Sequence, residues 1–373
     1  MKNFYKLLTK LDYGLLLSLA VIITAGLFVL DSAAASKESN YVLKQLVWVV
    51  AGAAVVLGSL KLDYTILQKY AKHLYIFSLL FLLAVSLFGS VRGGARSWFM
   101  IGSFGIQPAE YCKIFLIISY AQFLSSRRER LQTLPDLLPC FIFMAVPVLL
   151  LMMQPDLGSA LVYIFIMVGM LFIAGANKKI LLTLFGGGTI LLIVYLLGVW
   201  KLNWWCPLQT YQLNRFLVLF DSSIDPQGAG YNVWQSKIAI GNGGFWGEGL
   251  YMGSQSTGAF MPEQWTDFIF AVFAEELGFI GASILLLLFA FLLFRGLRIS
   301  MLSKDMFGTL VAAGIVSLYL FHILENVGMT MGLMPVTGIP LPFVSYGGSS
   351  MMTNFLGIAL LQNIYVHRQR LIF

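Results

Sequence analysis

Apolar runs of about 20 residues recur from one end of this 373-residue chain to the other, and they constrain its fold more than any other feature. A hydrocarbon core about 30 Å thick is crossed by a helix of about 20 apolar residues. Ten such runs are expected, near 13–31, 43–60, 73–90, 107–125, 136–153, 157–175, 180–200, 265–294, 306–331 and 341–366. Hydrophobic residues make up 59% of the chain and charged residues 11%, whereas a soluble domain carries roughly 25% charged residues to solvate its surface. The expectation is therefore an all-α integral membrane protein with about ten transmembrane helices, residues 1–373 forming one membrane domain.

The formal net charge of +7 would suit a nucleic-acid binder, but the distribution of the charge speaks against one. With the N-terminus in the cytoplasm, Lys2, Lys6, Lys10, Lys61, Lys69, Lys72, Arg127, Arg128, Arg130, Lys178, Lys179, Arg295, Arg298, Lys304, Arg368 and Arg370 fall inside. Only Lys37, Lys44, Arg92, Arg96, Lys201, Arg215 and Lys237 fall outside, and Lys113 lies within a span. The positive-inside rule then puts both termini in the cytoplasm. The start also has the plan of a cleaved signal peptide, with a Lys-containing segment, an apolar run from Gly14 to Leu30 and Ser32-Ala33-Ala34-Ala35. Its removal would leave an odd number of spans and move the N-terminus outside, so the uncleaved reading is preferred. Three cysteines, Cys112 and Cys140 in apolar spans and Cys206 in an outer loop, cannot make a disulfide framework.

Most connections are short, but the stretch from Lys201 to Gln264, between spans seven and eight, is far longer than an ordinary loop and rich in Gly, Trp and Tyr. Long loops of this kind carry function. By the charge count it lies outside, with the shorter segments Gly93–Gly105 and Pro335–Pro342, so the working face is expected to be extracytoplasmic. All eight Trp residues (Trp48, Trp98, Trp200, Trp204, Trp205, Trp234, Trp246 and Trp265) fall in the outer half, as an interfacial belt requires or as the lining of a glycan or headgroup groove would. No self-similar halves are present, unlike the inverted repeats of many transporters.

An ionisable side chain inside a span costs at least about 2.5–3.5 kcal/mol, so each one calls for a partner or a purpose. Glu110 and Lys113 sit one turn apart just after Gln107-Pro108, spaced to pair on one helix face, either to fix packing or to touch a substrate. Glu275 and Glu276 follow Asp267 on one expected helix, and Glu275 is the better placed to share its face. Interhelical hydrogen bonding is the plainer role for both, as it is for Glu325 beside Asn326. Asp267 ends the long outer loop in Pro262-Glu263-Gln264-Trp265-Thr266-Asp267 and opens an apolar helix. That places a carboxylate at the membrane surface, where the helix N-terminus is expected to keep it ionised. An ordinary helix cap explains the position equally well. In the long loop, Tyr211-Gln212-Leu213-Asn214-Arg215, Asp225 to Tyr231, Gln235-Ser236-Lys237 and Gly241-Asn242-Gly243-Gly244 set cations beside flexible backbone, a combination suited to phosphate. Ordinary solvated turns account for each piece singly.

Taken together, five segments resemble the SEDS family (shape, elongation, division, sporulation) of bacterial peptidoglycan polymerases, over essentially the whole chain. They are Gly94-Ala95-Arg96-Ser97-Trp98; Gln107-Pro108-Ala109-Glu110 with Lys113; Gln154-Pro155-Asp156-Leu157-Gly158; Thr266-Asp267-Phe268-Ile269-Phe270-Ala271-Val272 with Glu275-Glu276-Leu277-Gly278; and Leu341-Pro342-Phe343-Val344-Ser345-Tyr346-Gly347-Gly348-Ser349. They occur in family order. Gln235-Ser236-Lys237-Ile238-Ala239-Ile240-Gly241 and Gly338-Ile339-Pro340-Leu341-Pro342 look more like the elongation branch than the division branch. Ser97, Ala109, Asn242 and Trp265 depart from the usual pattern; Trp265 stands where a His commonly precedes Thr-Asp.

The resemblance implies a glycosyltransferase of the bacterial cytoplasmic (inner) membrane that joins lipid II disaccharides into glycan strands at the outer face and releases undecaprenyl pyrophosphate. It implies Asp267 as the catalytic base, with inversion at the donor's anomeric carbon. Arg215 and Lys237 are candidates for the pyrophosphate, assisted by Mg²⁺ or Mn²⁺, although the sequence offers no complete set of metal ligands. Glu110, Lys113, Asp156, Trp98, Gln235, Glu275, Ser345 and Tyr346 are the supporting or substrate-binding candidates, and Ser345-Tyr346-Gly347-Gly348 would border an apolar groove for the lipid tails. The implied partners are a class B penicillin-binding protein transpeptidase and the elongation complex. A lipid-linked precursor flippase running along Glu110, Lys113 and Glu275, and a non-catalytic scaffold for the transpeptidase, are the competing classes.

Overall fold

The structure is a computed structural model that describes residues 7–35, 40–92, 95–102, 104–127, 130–202, 204–206, 209–258 and 260–368. Gly93, Gly94, Lys2, Lys6, Lys37, Arg128 and Arg370, which entered the motif and charge arguments above, lie outside the described residues. Ten long helices follow the expected order: α1 (Tyr13–Ala33), α2 (Tyr41–Ser59), α3 (Thr65–Phe88), α4 (Pro108–Ser125), α5 (Leu134–Met152), α6 (Leu157–Ala174), α7 (Lys178–Leu202), α11 (Ile269–Leu302), α12 (Met306–Met331) and α13 (Gly348–Val366). Among the described residues between α7 and α11, the long connection holds three shorter α-helices, α8 (Thr210–Leu217), α9 (Ala229–Asn242) and α10 (Ser254–Thr257), and a 3-10 turn at Ser222–Ile224. The segment before α4 forms a small antiparallel sheet, β1 (Ser90–Arg92), β2 (Ala95–Ile101) and β3 (Phe104–Ile106), with Val91 opposite Arg96 and Met100 opposite Gly105.

Eight of the ten long helices are apolar enough to cross a bilayer by length and composition. The other two, α4 and α13, carry Glu110 and Lys113, and Asn354, Gln362 and Asn363, all buried within the protein. A helix surrounded by other helices can hold polar groups that a lipid-facing one cannot. The same logic sorts the rest. In α12, 83% of an 18-residue stretch is buried, against 11% in α7, so α12 is the axis of the bundle and α7 its lipid-facing edge. The axial helix carries Ser317, His322, Glu325, Asn326 and Thr330, whereas α7 is apolar almost throughout.

Local chemistry sets the helix ends. Asp12 caps α1 by accepting the Leu15 N–H at 2.9 Å and also binds Arg295 of α11, with Nε donating at 3.0 Å. Asn40, Asp156 and Asp305 cap α2, α6 and α12 in the same way, and Gly175 and Gly332 close α6 and α12 in the left-handed conformation.

Besides α3, which begins at Thr65 where the expected run began at 73, two expected spans differ from the structure. The run 341–366 becomes helical only at Gly348; Leu341 to Gly347 form an irregular buried segment with Phe343 at φ +65°. Irregular backbone is tolerated at depth where protein, not lipid, surrounds it. The run 265–294 starts its helix at Ile269 and is broken at Gly278 (φ +65°, ψ −169°). Loop residues 244–249 occupy the break: Phe279 N–H donates to the Gly244 carbonyl (2.9 Å), while Glu248 and Gly249 N–H donate to the carbonyls of Glu275 and Glu276 (3.0 Å each). A side chain at Gly278 would collide with the Gly247 backbone, so this close approach requires glycine.

Candidate functional site

Asp267 stands in the turn that leads into α11. It is not the helix cap: Phe268 occupies that position, and no side chain caps the helix. The turn is held by N–H groups of Thr266 and Asp267 donating to the Glu263 carbonyl (3.1 Å each). Behind it, the irregular segment after α12 is laced to the same turn. Ser345 Oγ donates to the Thr266 carbonyl (2.6 Å) and accepts the Leu341 N–H (2.8 Å), and Tyr346 N–H donates to the Trp265 carbonyl (2.9 Å). Gln45 of α2 donates to the Ser345 carbonyl at 2.9 Å. Tyr41 stacks on Trp265 with centroids 5.7 Å apart and meets Tyr346 edge-on at 4.7 Å. Ser345 and Tyr346 therefore brace the turn that carries Asp267. Trp265 takes part in this aromatic packing.

The segment then passes directly beside the carboxylate. Gly338 has φ +74°, and a Cβ there would lie 3.2 Å from Asp267 Oδ2. Its neighbours are tied to α12: Thr337 Oγ1 donates to Glu325 Oε1 (2.7 Å), and Asn326 Nδ2 donates to the carbonyls of Ile339 and Asp267 (2.8 Å each). Val336 N–H donates to the Arg215 carbonyl of the long loop (3.3 Å), and Val218, Val233 and Val336 pack on Phe268. These contacts bring α8 and α9 onto the Asp267 turn.

The Asp267 side chain is half-buried. Burial pushes its carboxyl up from 3.8 to about 6, and the nearby charge of Glu263 adds to this, while a hydrogen bond from Thr266 and the Arg215 guanidinium pull the other way. The helix terminus does not hold the group strongly ionised, as its position in the sequence suggested, because desolvation outweighs it. A carboxylate poised near 6 is a stronger proton acceptor than one at 3.8 and remains mostly ionised at neutral pH, which suits a general base.

The remaining candidates fall into separate sets. Arg215, partly exposed on α8, is close enough to act on the Asp267 carboxylate. Lys237 is exposed on α9 and lays its chain over Gly332, while its neighbour Ser236 donates to the Thr330 carbonyl at 2.6 Å and docks α9 on α12. Gln235 is partly buried beside them. Asp156 caps α6 through Ser159 N–H (3.0 Å) and Oγ (2.9 Å), and a Cβ on the adjoining Gly158 would lie 2.9 Å from the Thr337 carbonyl, so this motif packs on the segment beside Asp267. Trp98 lies on β2 with its ring against Gly105, inside the small sheet.

Glu110 and Lys113 pair at 2.6 Å, both buried, and Lys113 Nζ also reaches His322 Nε2 at 3.2 Å. His322 Nδ1 lies 3.2 Å from the Pro340 carbonyl, which can only accept. The proton is therefore on Nδ1, and Nε2 is free to accept from the ammonium. Glu275 does not share a face with Asp267. It accepts backbone N–H groups of Gln255 (2.7 Å) and Ser256 (3.0 Å), anchoring α10. Glu276 binds Ser32 of α1. Glu110 with Lys113, and Glu275 with α10, are thus bound in separate places.

Sequence reasoning passed over His322, Thr337 and Gln45, read Gly338 only as part of a branch motif, and treated Asn326 only as a neighbour of Glu325. A histidine and an asparagine four residues apart in an apolar span were the available signal. Among the described residues no three His, Cys, Asp or Glu side chains are grouped to hold a metal ion.

Residues 6–370 match the family model described as "Cell cycle protein", that of FtsW, RodA and SpoVE. The chain belongs to this family, the SEDS family. The SEDS match extends to curated relatives at full length. The chain is 33% identical over 361 residues to peptidoglycan glycosyltransferase MrdB of Escherichia coli K12, covering 97% of this chain and 95% of that one. It is 35% identical over 366 residues to stage V sporulation protein E of Bacillus subtilis, covering 95% and 97%. Among solved structures, one described as the structural coordination of polymerization and crosslinking by a peptidoglycan synthase complex superposes with TM-score 0.80 at 30% identity, covering 95% and 97%. Thermus thermophilus RodA superposes at 0.70 with 28% identity, covering 96% and 98%.

Proposed function

We propose that this SEDS chain is the elongation-type peptidoglycan polymerase of its cell: it joins lipid II disaccharide-peptides into glycan strands at the outer face of the cytoplasmic membrane. The observation that carries the mechanism is a half-buried carboxylate, poised near 6, on a turn locked to the bundle axis and near the Arg215 cation of the long loop. Asp267 takes the proton from the acceptor sugar's 4-hydroxyl as that oxygen forms a bond to the donor's anomeric carbon. The bond from that carbon to the pyrophosphate oxygen breaks, and its electron pair leaves with undecaprenyl pyrophosphate. Attack opposite the leaving group inverts the centre. A pyrophosphate departs without a proton donor once its charge is offset, so the second carboxylate of a glycoside hydrolase is unnecessary. Arg215 and Lys237 supply that offset; a divalent cation, Mg²⁺ or Mn²⁺, which phosphate oxygens bind well, would add to it.

The likeness to a peptidoglycan synthase complex supports pairing with a class B transpeptidase within the elongation machinery. The charge distribution favours ten spans with both termini inside. A flippase would need one polar path, and the separation of Glu110 and Lys113 from Glu275 weighs against it. The test is polymerisation of fluorescent lipid II by purified protein with its transpeptidase and Mg²⁺ or Mn²⁺. Long glycans from wild type and none from equal folded amounts of Asp267→Asn are expected. Equal products from both would remove Asp267 from the chemistry.

A further inference from the structure

The amide of Asn326 is fully buried on the axial helix α12, and each of its two N–H bonds is committed to a main-chain carbonyl of a different element. One carbonyl is that of Asp267; the other is that of Ile339, next to Gly338, whose Cα borders the Asp267 carboxylate. The amide oxygen finds no donor among the described residues. An unsatisfied buried acceptor is a cost, and the amide cannot relieve it by flipping, because that would turn its oxygen toward two carbonyl oxygens. The orientation is thus dictated by the two donated bonds. They join the turn bearing the carboxylate to the segment passing over it, at one point on the most buried helix of the bundle.

We propose that Asn326 is a positioning residue for the reaction: by holding the Asp267 and Ile339 carbonyls together, it sets where the Asp267 carboxylate stands relative to Gly338 and the incoming hydroxyl. The inference rests on Asp267 being the base. Displacing a reacting group by about 1 Å costs on the order of 10²-fold in rate with little effect on binding. Hydrogen bonds from His322 to the Pro340 carbonyl and from Thr337 to Glu325 tie the same segment to α12 independently of Asn326.

Asn363 of α13 serves as a control: it also donates both N–H bonds to carbonyls, those of Ser59 and Leu62 (2.7 Å each), and in addition accepts the Tyr64 N–H (3.1 Å), so its replacement removes one more hydrogen bond than that of Asn326; it lies 15 residues along the helix from Gly348, about 22 Å from it. The experiment compares kcat and KM for lipid II polymerisation, per folded molecule, in wild type, Asn326→Leu, Asn363→Leu and Asp267→Asn. A 10- to 100-fold fall in kcat for Asn326→Leu with KM within about threefold, and near-wild-type kcat for Asn363→Leu, is the expected result. Wild-type kcat in Asn326→Leu, or equal losses in both asparagine variants, overturns the positioning role. If Asn326→Leu does not fold, Asn326→Asp keeps the shape with at most one donor, and wild-type kcat in that variant overturns the role as well. Full activity in Asp267→Asn instead defeats the base assignment on which the inference stands.

Discussion

Replacing Asp267 by Asn should stabilise the protein while silencing it. The carboxyl ionises near 3.8 in an unfolded chain and at about 6 in the fold. Between these values the native state binds more protons than the unfolded one, so stability falls as pH rises through the window. The cost is complete above about pH 6 and absent below about 3.8. At 1.36 kcal/mol per unit, the difference corresponds to about 3 kcal/mol carried by the native protein at neutral pH. Asparagine has the same shape and no charge, so Asp267→Asn is expected to melt above wild type at pH 7.5 in detergent, with the gap closing as the buffer is taken toward pH 4.5. The same preparation should make no glycan polymer. This is the exchange of stability for activity expected where a charged group is held in a desolvated site. A variant that melts at or below wild type at pH 7.5, or a gap that does not change with pH, would refute the reasoning.

Arg215 draws the Asp267 value down, so Arg215→Ala should move the acid limb of the polymerisation rate to higher pH, as read in a pH–rate profile; a limb that stays in place or moves to lower pH contradicts the contact. Lys113→Met leaves Glu110 buried without its partner and should cost about 3–5 kcal/mol, whereas Glu110→Gln should cost less because Lys113 retains His322; melting temperatures rank the two. Gly338→Ala forces a left-handed residue, worth about 1–2 kcal/mol, and sets a methyl group against Asp267 Oδ2. It should lower kcat more than it raises KM in steady-state polymerisation.

The expected helices were legible because apolar runs and helix length are both properties of consecutive residues. The caps Asp12, Asp156 and Asp305 obey chain-local rules, but the position weighed as a cap from the sequence, Asp267, is not one. The pairing of Glu110 with Lys113 was legible too, since three residues is one helical turn. Hydropathy could not show that Leu341 to Gly347 are irregular, or that α11 breaks at Gly278, because a buried apolar segment has the same composition whatever its backbone conformation. Nor could it separate Glu275 from Asp267. That depended on α10 arriving from the long loop with free N–H groups for Glu275 to bind.

By itself the sequence determined the solvent, the helices and the carboxylate at the end of the loop, since each follows from the transfer free energy and spacing of neighbouring residues. Tertiary structure alone decided how strongly Asp267 holds its proton and what keeps it in place. Both are set by groups distant in sequence: the Gly338 segment, Asn326 on the axis and Arg215 on α8. Desolvation and hydrogen bonding depend on what surrounds a group in space, and in this bundle the surroundings of the carboxylate come from three elements that meet only when the chain is folded.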